Sequence, residues 1–433
     1  MKGLSFLVSF LVMGFLNAQS LMIKAKVDQL AQEIEAKMIE WRHDIHENPE
    51  LSNREFNTAK MVAAHLKGLG IKVQTGVAKT GVVGLLKGGE AGPVIGLRAD
   101  MDALPVTERV DLPWASKVKS VYNNVETGVM HACGHDTHVA ILMATAEVLS
   151  KMKSDLKGTV KFIFQPAEEG APPGEEGGAE LMVKEGVMKN PDIDVVFGLH
   201  INSQTPVGTI TYKPGGTMAA ADRWVMQVKG KQSHGSAPWS GVDPIVTAAQ
   251  IINGIQTIIS RETELTKEAA VISVGLIRGG VRNNIIPEEV EMIGTIRTLD
   301  TEMQKMLHSD FQRVATNIGK GMGAEVNLQI TKGYPVTYND PTLTNHILPF
   351  LKNAAGEENV HLRTASTEAE DFSFYAMEVP GVFFFIGGCP EGSDPKQAFP
   401  HHTPDFYVED TGMMTGLKAM VYTTLGYMYD PAG

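Results

Sequence analysis

The chain has 433 residues, 43% of them hydrophobic and 20% charged, with 44 glycines. One hydrophobic core stops growing at roughly 250–300 residues, so more than one domain is expected. The 38 basic and 50 acidic residues leave a net charge of −12, which argues against the basic face that a general nucleic-acid binder needs. No internal repeat, low-complexity tract or long run of one charge is present.

In chain order, Lys2 precedes an apolar run, Leu4–Leu16. The run is shorter than the ~18 residues a spanning helix needs. Ala18 and Ser20 then fit the small-x-small pattern of a cleavage site. The segment reads as a signal peptide over residues 1–20, hence an exported protein, periplasmic or secreted, with no stable membrane anchor. A buried N-terminal helix is the alternative. The residues from Met22 to Leu51 predict an amphipathic helix at the start of the mature chain.

Three short apolar strands follow, each ending in chemistry. "PVIGLRADMDALP" ends in Asp100 and Asp102, "GTVKFIFQPAEEG" in Glu168 and Glu169, and "DVVFGLHINS" in His200. Between the first two, "MHACGHDTHVA" carries one of two cysteines, Cys133, with His135 two residues on. Helical apolar spacing starts at Val139, so Cys133 and His135 are expected in a loop entering a helix. Open α/β sheets place their sites at such strand ends and loops. Near the C-terminus "FPHHTPDFYVED" adds His401 and His402. Singly these are weak signals. Taken alone, Cys133 and Cys389 leave a disulfide open, and Cys133 with a histidine leaves a thiol nucleophile open. Jointly, thiolate, imidazole and carboxylate suit zinc or a similar divalent ion. Adjacent glutamates allow one to hold metal while the other moves a proton.

From about Lys213 to Lys332 the pattern changes to strand–helix–strand–strand–helix–strand, a ferredoxin-like order. The expected architecture is an α/β catalytic domain, residues 21–212 and 333–433, interrupted by an α+β domain, residues 213–332.

Together, "RHDIHENPELSNREFNTAK", "LRADMDALPVTE", "MHACGHDTHVA", "FIFQPAEEG", "KQSHGSAPWSGVDPI", "NNIIPEEVEMIGTIR", "EAEDFSFY" and "HHTPDF" resemble the aminoacylase-type branch of the co-catalytic zinc metallopeptidases over nearly the whole chain. That branch includes hippurate hydrolase, N-acyl-amino-acid amidohydrolases and auxin-conjugate hydrolases. The resemblance implies two divalent metal ions (zinc, manganese, nickel or cobalt) held by Cys133, His135, Glu169, His200 and His402, with Cys133 bridging. It implies Glu168 as general base and His234 polarising the scissile carbonyl. Asn284 and Arg297 would bind the substrate carboxylate, and the inserted domain would act as lid and dimerisation domain of a homodimer. His402 is chosen over His401 because His402-Thr403-Pro404 matches the family pattern. The sequence departs from other branches at Arg98, where they carry a histidine ligand, and in the glycine-rich insertion "APPGEEGGAE". The implied activity is hydrolysis of N-acyl or N-aroyl amino acids. The rivals are a dipeptidase or carboxypeptidase of the same fold and a non-catalytic metal- or ligand-binding relative. The second fits poorly with two retained glutamates, since a binder needs no base.

Overall fold

A computed structural model describes the backbone of residues 2–431 and the side chains of residues 22–431. The chain divides into two compact units. The first comprises Met1–Tyr212, Asp340–Arg363 and Tyr375–Gly433, and the second Lys213–Asn339 and Thr364–Phe374.

The first unit is built on an eight-stranded sheet. Its strands are β1 (Lys72–Val77), β2 (Gly81–Lys87), β3 (Glu90–Asp100), β4 (Lys157–Gln165), β5 (Val195–Pro206), β6 (Ile210–Tyr212), β7 (Val360–Leu362) and β8 (Gly381–Cys389). They lie in the order β1-β2-β4-β3-β5-β8-β6-β7. The central four, β4, β3, β5 and β8, pair in parallel. Such strands are buried on both faces and read as continuous apolar runs, as "VFFFIGG" in β8 does. After β3 the chain crosses to β4 on one side, and then returns to β5 on the other. That reversal creates the crevice where α/β sheets place sites.

Helices α1 (Lys2–Glu47), α2 (Phe56–Gly68), α3 (His135–Lys151), α4 (Pro341–Ala355) and α5 (Gly412–Tyr429) supply the layers around the sheet. Fourteen of the seventeen residues of α3 are buried, so it is a core helix rather than a surface one. Val27, Ile34 and Met38 of α1 join Leu142 of α3, Phe162 of β4, Phe384 of β8 and Leu417 of α5 in one hydrophobic core.

The N-terminus corrects an expectation. Helix α1 runs unbroken from Lys2 to Glu47, through the Ala18–Ser20 segment read as a cleavage site. The export reading is therefore withdrawn. Leucine, methionine and alanine favour a helix in either role, and no proline occurs before Pro49 to stop one. An apolar run alone cannot separate a leader from the first turns of a long helix. Among the described residues no helix is long and apolar enough to cross a membrane.

The second unit has a four-stranded antiparallel sheet in the order 270–279, 289–298, 220–229, 325–331, the ferredoxin-like arrangement. Helix Pro244–Thr257 begins at Asp243, whose carboxylate accepts from the Ile245 and Val246 N–H groups, with Pro244 at the first helical position. Its boundaries differ from those read in sequence. It continues to Asn339 and gains Thr364–Phe374, which is fastened by a bridge from Met218 to Ser366 and by the Thr337 hydroxyl on the Glu370 carbonyl. That segment has no hydrophobic period by which a sequence pattern could place it.

Candidate active site

Cys133 lies in the turn before α3, and His135 is the first residue of that helix rather than part of the loop. Gly134 between them has φ +90°, and a Cβ there would lie 2.5 Å from Ile201 Cγ2. Only glycine turns the chain so tightly at that spot. The turn lets Cys133 and His135 face one region although they are two residues apart. His135 Nδ1 is 2.8 Å from the Asp102 carbonyl oxygen, which makes Nδ1 the protonated nitrogen. Its Nε2 is buried without a hydrogen-bond partner, 3.8 Å from Glu168 Oε2. A ring held at Nδ1 and open at Nε2 is the usual posture of a metal-binding histidine.

Glu168 and Glu169 follow β4, and both backbone N–H groups donate to Asp102, at 3.0 Å each. His200 is not at the end of its strand. It lies inside β5, paired with Phe385 of β8, just past the point where β3 stops pairing. Its Nε2 is 3.3 Å from Cys133 Sγ. Ligand-capable atoms of His135, Glu168 and Glu169 lie within 4.8 Å of one another, as do those of Cys133, Glu169 and His402, and of Cys133, His200 and His401. Cys133 belongs to two of these three groups. His402 Nε2 is 2.9 Å from Glu169 Oε1. His401 also reaches the cluster, but its Nδ1 faces the Cys133 carbonyl at 3.2 Å and its Nε2 accepts from the Ser203 N–H. Cys133 and Cys389 are both free thiols, so the disulfide alternative falls.

The electrostatics favour added positive charge. Burial, together with Glu169, Glu168 and Asp100, pushes the Cys133 thiol well up. Burial would lower His135, but Asp100, Asp102 and Glu169 outweigh it and raise the ring to about 10. Burial, reinforced by His138 and His401, holds His200 well down, so it is a neutral donor. A divalent cation among these groups reverses the thiol's preference, since it stabilises thiolate and carboxylates together. Orphaned His135 Nε2, the buried thiol and the carboxylate pair fit such an ion.

Several further residues support the site; of these Arg98 was noted in sequence, while His138, Arg42, His46 and Asp136 were not. Arg98 is fully buried; its Nη1 donates to Asp100 Oδ2 at 2.6 Å and its Nε to Gln165 at 2.8 Å. The other Asp100 oxygen takes His138 Nδ1 at 2.6 Å, and His138 Nε2 accepts from the Ile201 N–H at 2.9 Å. Both Asp100 oxygens are thus engaged, and Arg98 stands beside them as an internal cation. The i, i+3 spacing of His135 and His138 was the available signal. Beneath α3, Arg42 Nε contacts Asp136 at 3.2 Å, and His46 bridges Asp136 (2.9 Å) and Glu108 (3.2 Å). Burial opposes the charge on His46, but Asp136 outweighs it and raises the ring to about 9.

The remaining candidates lie in the second unit. His234 and Asn284 are exposed neighbours: Gly235 N–H donates to the Asn284 carbonyl at 2.8 Å, and His234 pairs with Ile285. Arg297 is half-buried on strand 289–298, on the face opposite the buried Met292 and Ile296.

The profile of Peptidase family M20/M25/M40 matches residues 96–425. Thermostable carboxypeptidase 2 of Saccharolobus solfataricus is 40% identical over 406 residues, 91% of this chain and 96% of that one. N-acetylcysteine deacetylase of Bacillus subtilis is 39% identical over 352 residues, 81% of this chain and 88% of that one. The crystal structure of the Bacillus subtilis YXEP protein, titled a dinuclear metal binding peptidase from the M20 family, superposes with a TM-score of 0.76 at 34% identity, covering 92% of this chain and 99% of that one. The chain therefore belongs to Peptidase family M20/M25/M40.

Proposed function

We propose that this chain hydrolyses the amide bond of N-acyl or N-aroyl amino acids, releasing a carboxylic acid and a free amino acid, and does so with two divalent metal ions. The observation that carries the reading is the pair Glu168–Glu169, held by one carboxylate beside an unpartnered His135 Nε2 and a buried Cys133. A site that only bound metal would not need the extra carboxylate. The 39% identical relative named N-acetylcysteine deacetylase supports the substrate class, and the YXEP protein, described as a dinuclear metal binding peptidase, supports two ions.

Cys133, His135, Glu169, His200 and His402 would hold the ions, with Cys133 shared. His402 is preferred to His401 because backbone groups take both of the latter's nitrogens. Bound ions would polarise the scissile carbonyl and acidify the attacking water. Glu168 would serve as general base, accepting a proton from the attacking water and passing it to the leaving nitrogen. His234 Nδ1 accepts from the Ser236 N–H at 3.0 Å, which leaves the ring proton on Nε2. Its Nε2–H is thus free to donate towards a carbonyl oxygen. Asn284 and the forked guanidinium of Arg297 would recognise the amino acid's carboxylate. The second unit would serve as lid and dimerisation domain. Its Trp239 and Val281, 83% and 96% exposed, are the apolar groups that a second copy would cover.

A carboxypeptidase reading is kept because of the 40% identical carboxypeptidase relative. Both reactions cut an amide on the amino side of a free amino-acid carboxylate and differ in what caps it. The test is a screen of N-acetyl and N-benzoyl amino acids beside dipeptides, with zinc- or manganese-loaded protein. Faster turnover of the acyl compounds upholds the reading; turnover confined to peptides with a free amine transfers it to the peptidase. Sedimentation at micromolar concentration should give a dimer, and a monomer would remove the dimer reading.

A further inference from the structure

Glu55 is completely buried, yet among the described residues it belongs to none of the clusters that could hold a metal ion. Its Oε1 accepts the N–H of Ala167 at 2.9 Å and of Asn53 at 3.0 Å, and its Oε2 accepts the Thr80 hydroxyl at 2.6 Å. Ala167 immediately precedes the glutamate pair and has φ +52°, a left-handed conformation that a side-chain-bearing residue rarely adopts. Asp102 then accepts the next two N–H groups, Glu168 on Oδ1 and Glu169 on Oδ2, while the Ser52 hydroxyl donates to Oδ2 at 2.7 Å. Three consecutive backbone N–H groups, those of Ala167, Glu168 and Glu169, are thus received by two buried carboxylates. The same Asp102 holds the His135 ring through its carbonyl oxygen.

We propose that Glu55 and Asp102 are paired positioning residues: they hold the Ala167–Glu169 turn in its left-handed form and so fix the aim of Glu168 relative to His135. Without them the three N–H groups would be buried and unsatisfied, and the turn would relax. The role asks different things of the two side chains. A glutamine at 55 keeps its oxygen for the Ala167 and Asn53 N–H groups and turns its amide towards the Thr80 hydroxyl, which can rotate to accept. An asparagine at 102 must set an amide against an N–H, donor against donor. Neutralising the charge should therefore be tolerated at 55 and not at 102.

The kinetic arm rests on the proposed hydrolase activity; the exchange arm does not. The experiment compares wild type with Glu55→Gln, Glu55→Ala and Asp102→Asn as full-length chains. It reads kcat and KM on N-acetyl-L-methionine and N-benzoylglycine, and amide hydrogen exchange over residues 167–170 in metal-free protein. Glu55→Ala and Asp102→Asn should lower kcat by about 10²-fold, the scale of an ångström of misplacement, with KM within about threefold. Exchange should quicken at 167–170 and not within β4. Glu55→Gln should behave as wild type in both. Unchanged exchange in Glu55→Ala, or a Glu55→Gln as impaired as Glu55→Ala, would overturn the assignment. If wild type cleaves neither compound, the hydrolase reading fails, and exchange alone upholds or overturns the anchor. Should Glu55→Ala not fold, Thr80→Val and Ser52→Ala each remove one hydroxyl from a carboxylate, and the same exchange comparison decides.

Discussion

The two units treat their chemically interesting residues in opposite ways. In the first, Cys133, His135 and Glu168 are buried, and the neighbours that orient them are themselves fixed: Asp102 by Ser52, Asp100 by Arg98 and His138. In the second, His234 and Asn284 are exposed and Arg297 lies on the sheet's open face. The first is a preorganised site, where small displacements cost rate. The second offers groups whose geometry is set only when something binds.

The comparison can be broken most severely by metal removal. Dialysis against a chelator should abolish turnover, and added zinc should restore it. Because burial and the neighbouring carboxylates favour the protonated Cys133 thiol, zinc uptake should release protons, and Cys133→Ala should release fewer. Turnover that survives chelation would show that the buried cluster needs no ion. In the second unit, His234→Ala should lower kcat by about 10²–10³, the scale of one donor to a developing oxyanion, with a smaller change in KM. A change in KM alone would make His234 a simple binding group. The smallest effect concerns the support beneath α3. His46 donates to both Asp136 and Glu108, so its charged form is favoured in the folded chain. Its contribution is complete below the ordinary value of 6.5 and fades as pH rises towards about 9. It amounts to on the order of 3 kcal/mol at most. Thermal unfolding should therefore show Tm falling between these pH values, and His46→Gln should flatten the slope. An equal slope in the variant would assign the dependence elsewhere.

What was legible in the sequence divides along the same line. Strands ending in Asp100, Glu168 and Glu169 could be read because buried parallel strands are short apolar runs and their ends stand out. The second unit was legible through alternation and Asp-Pro capping. The position of His200 within β5 was not, since β5 outruns its neighbour and a run's length does not reveal where pairing stops. Arg98 and His138 were missed as a pair because their meaning comes from one shared contact, Asp100. The α1 start was misread because a leader and a helix share one composition.

The most direct measurement separates the adjacent glutamates. Metal content by elemental analysis is read alongside kcat for Glu168→Gln and Glu169→Gln. Glu168→Gln keeps the shape and loses the base, so it should retain metal near wild-type stoichiometry while kcat falls by about 10²–10⁴. Glu169→Gln weakens a ligand, so metal and activity should fall together. Loss of metal from Glu168→Gln with retention in Glu169→Gln would reverse the two roles, and full activity in both variants would contradict the account at its centre.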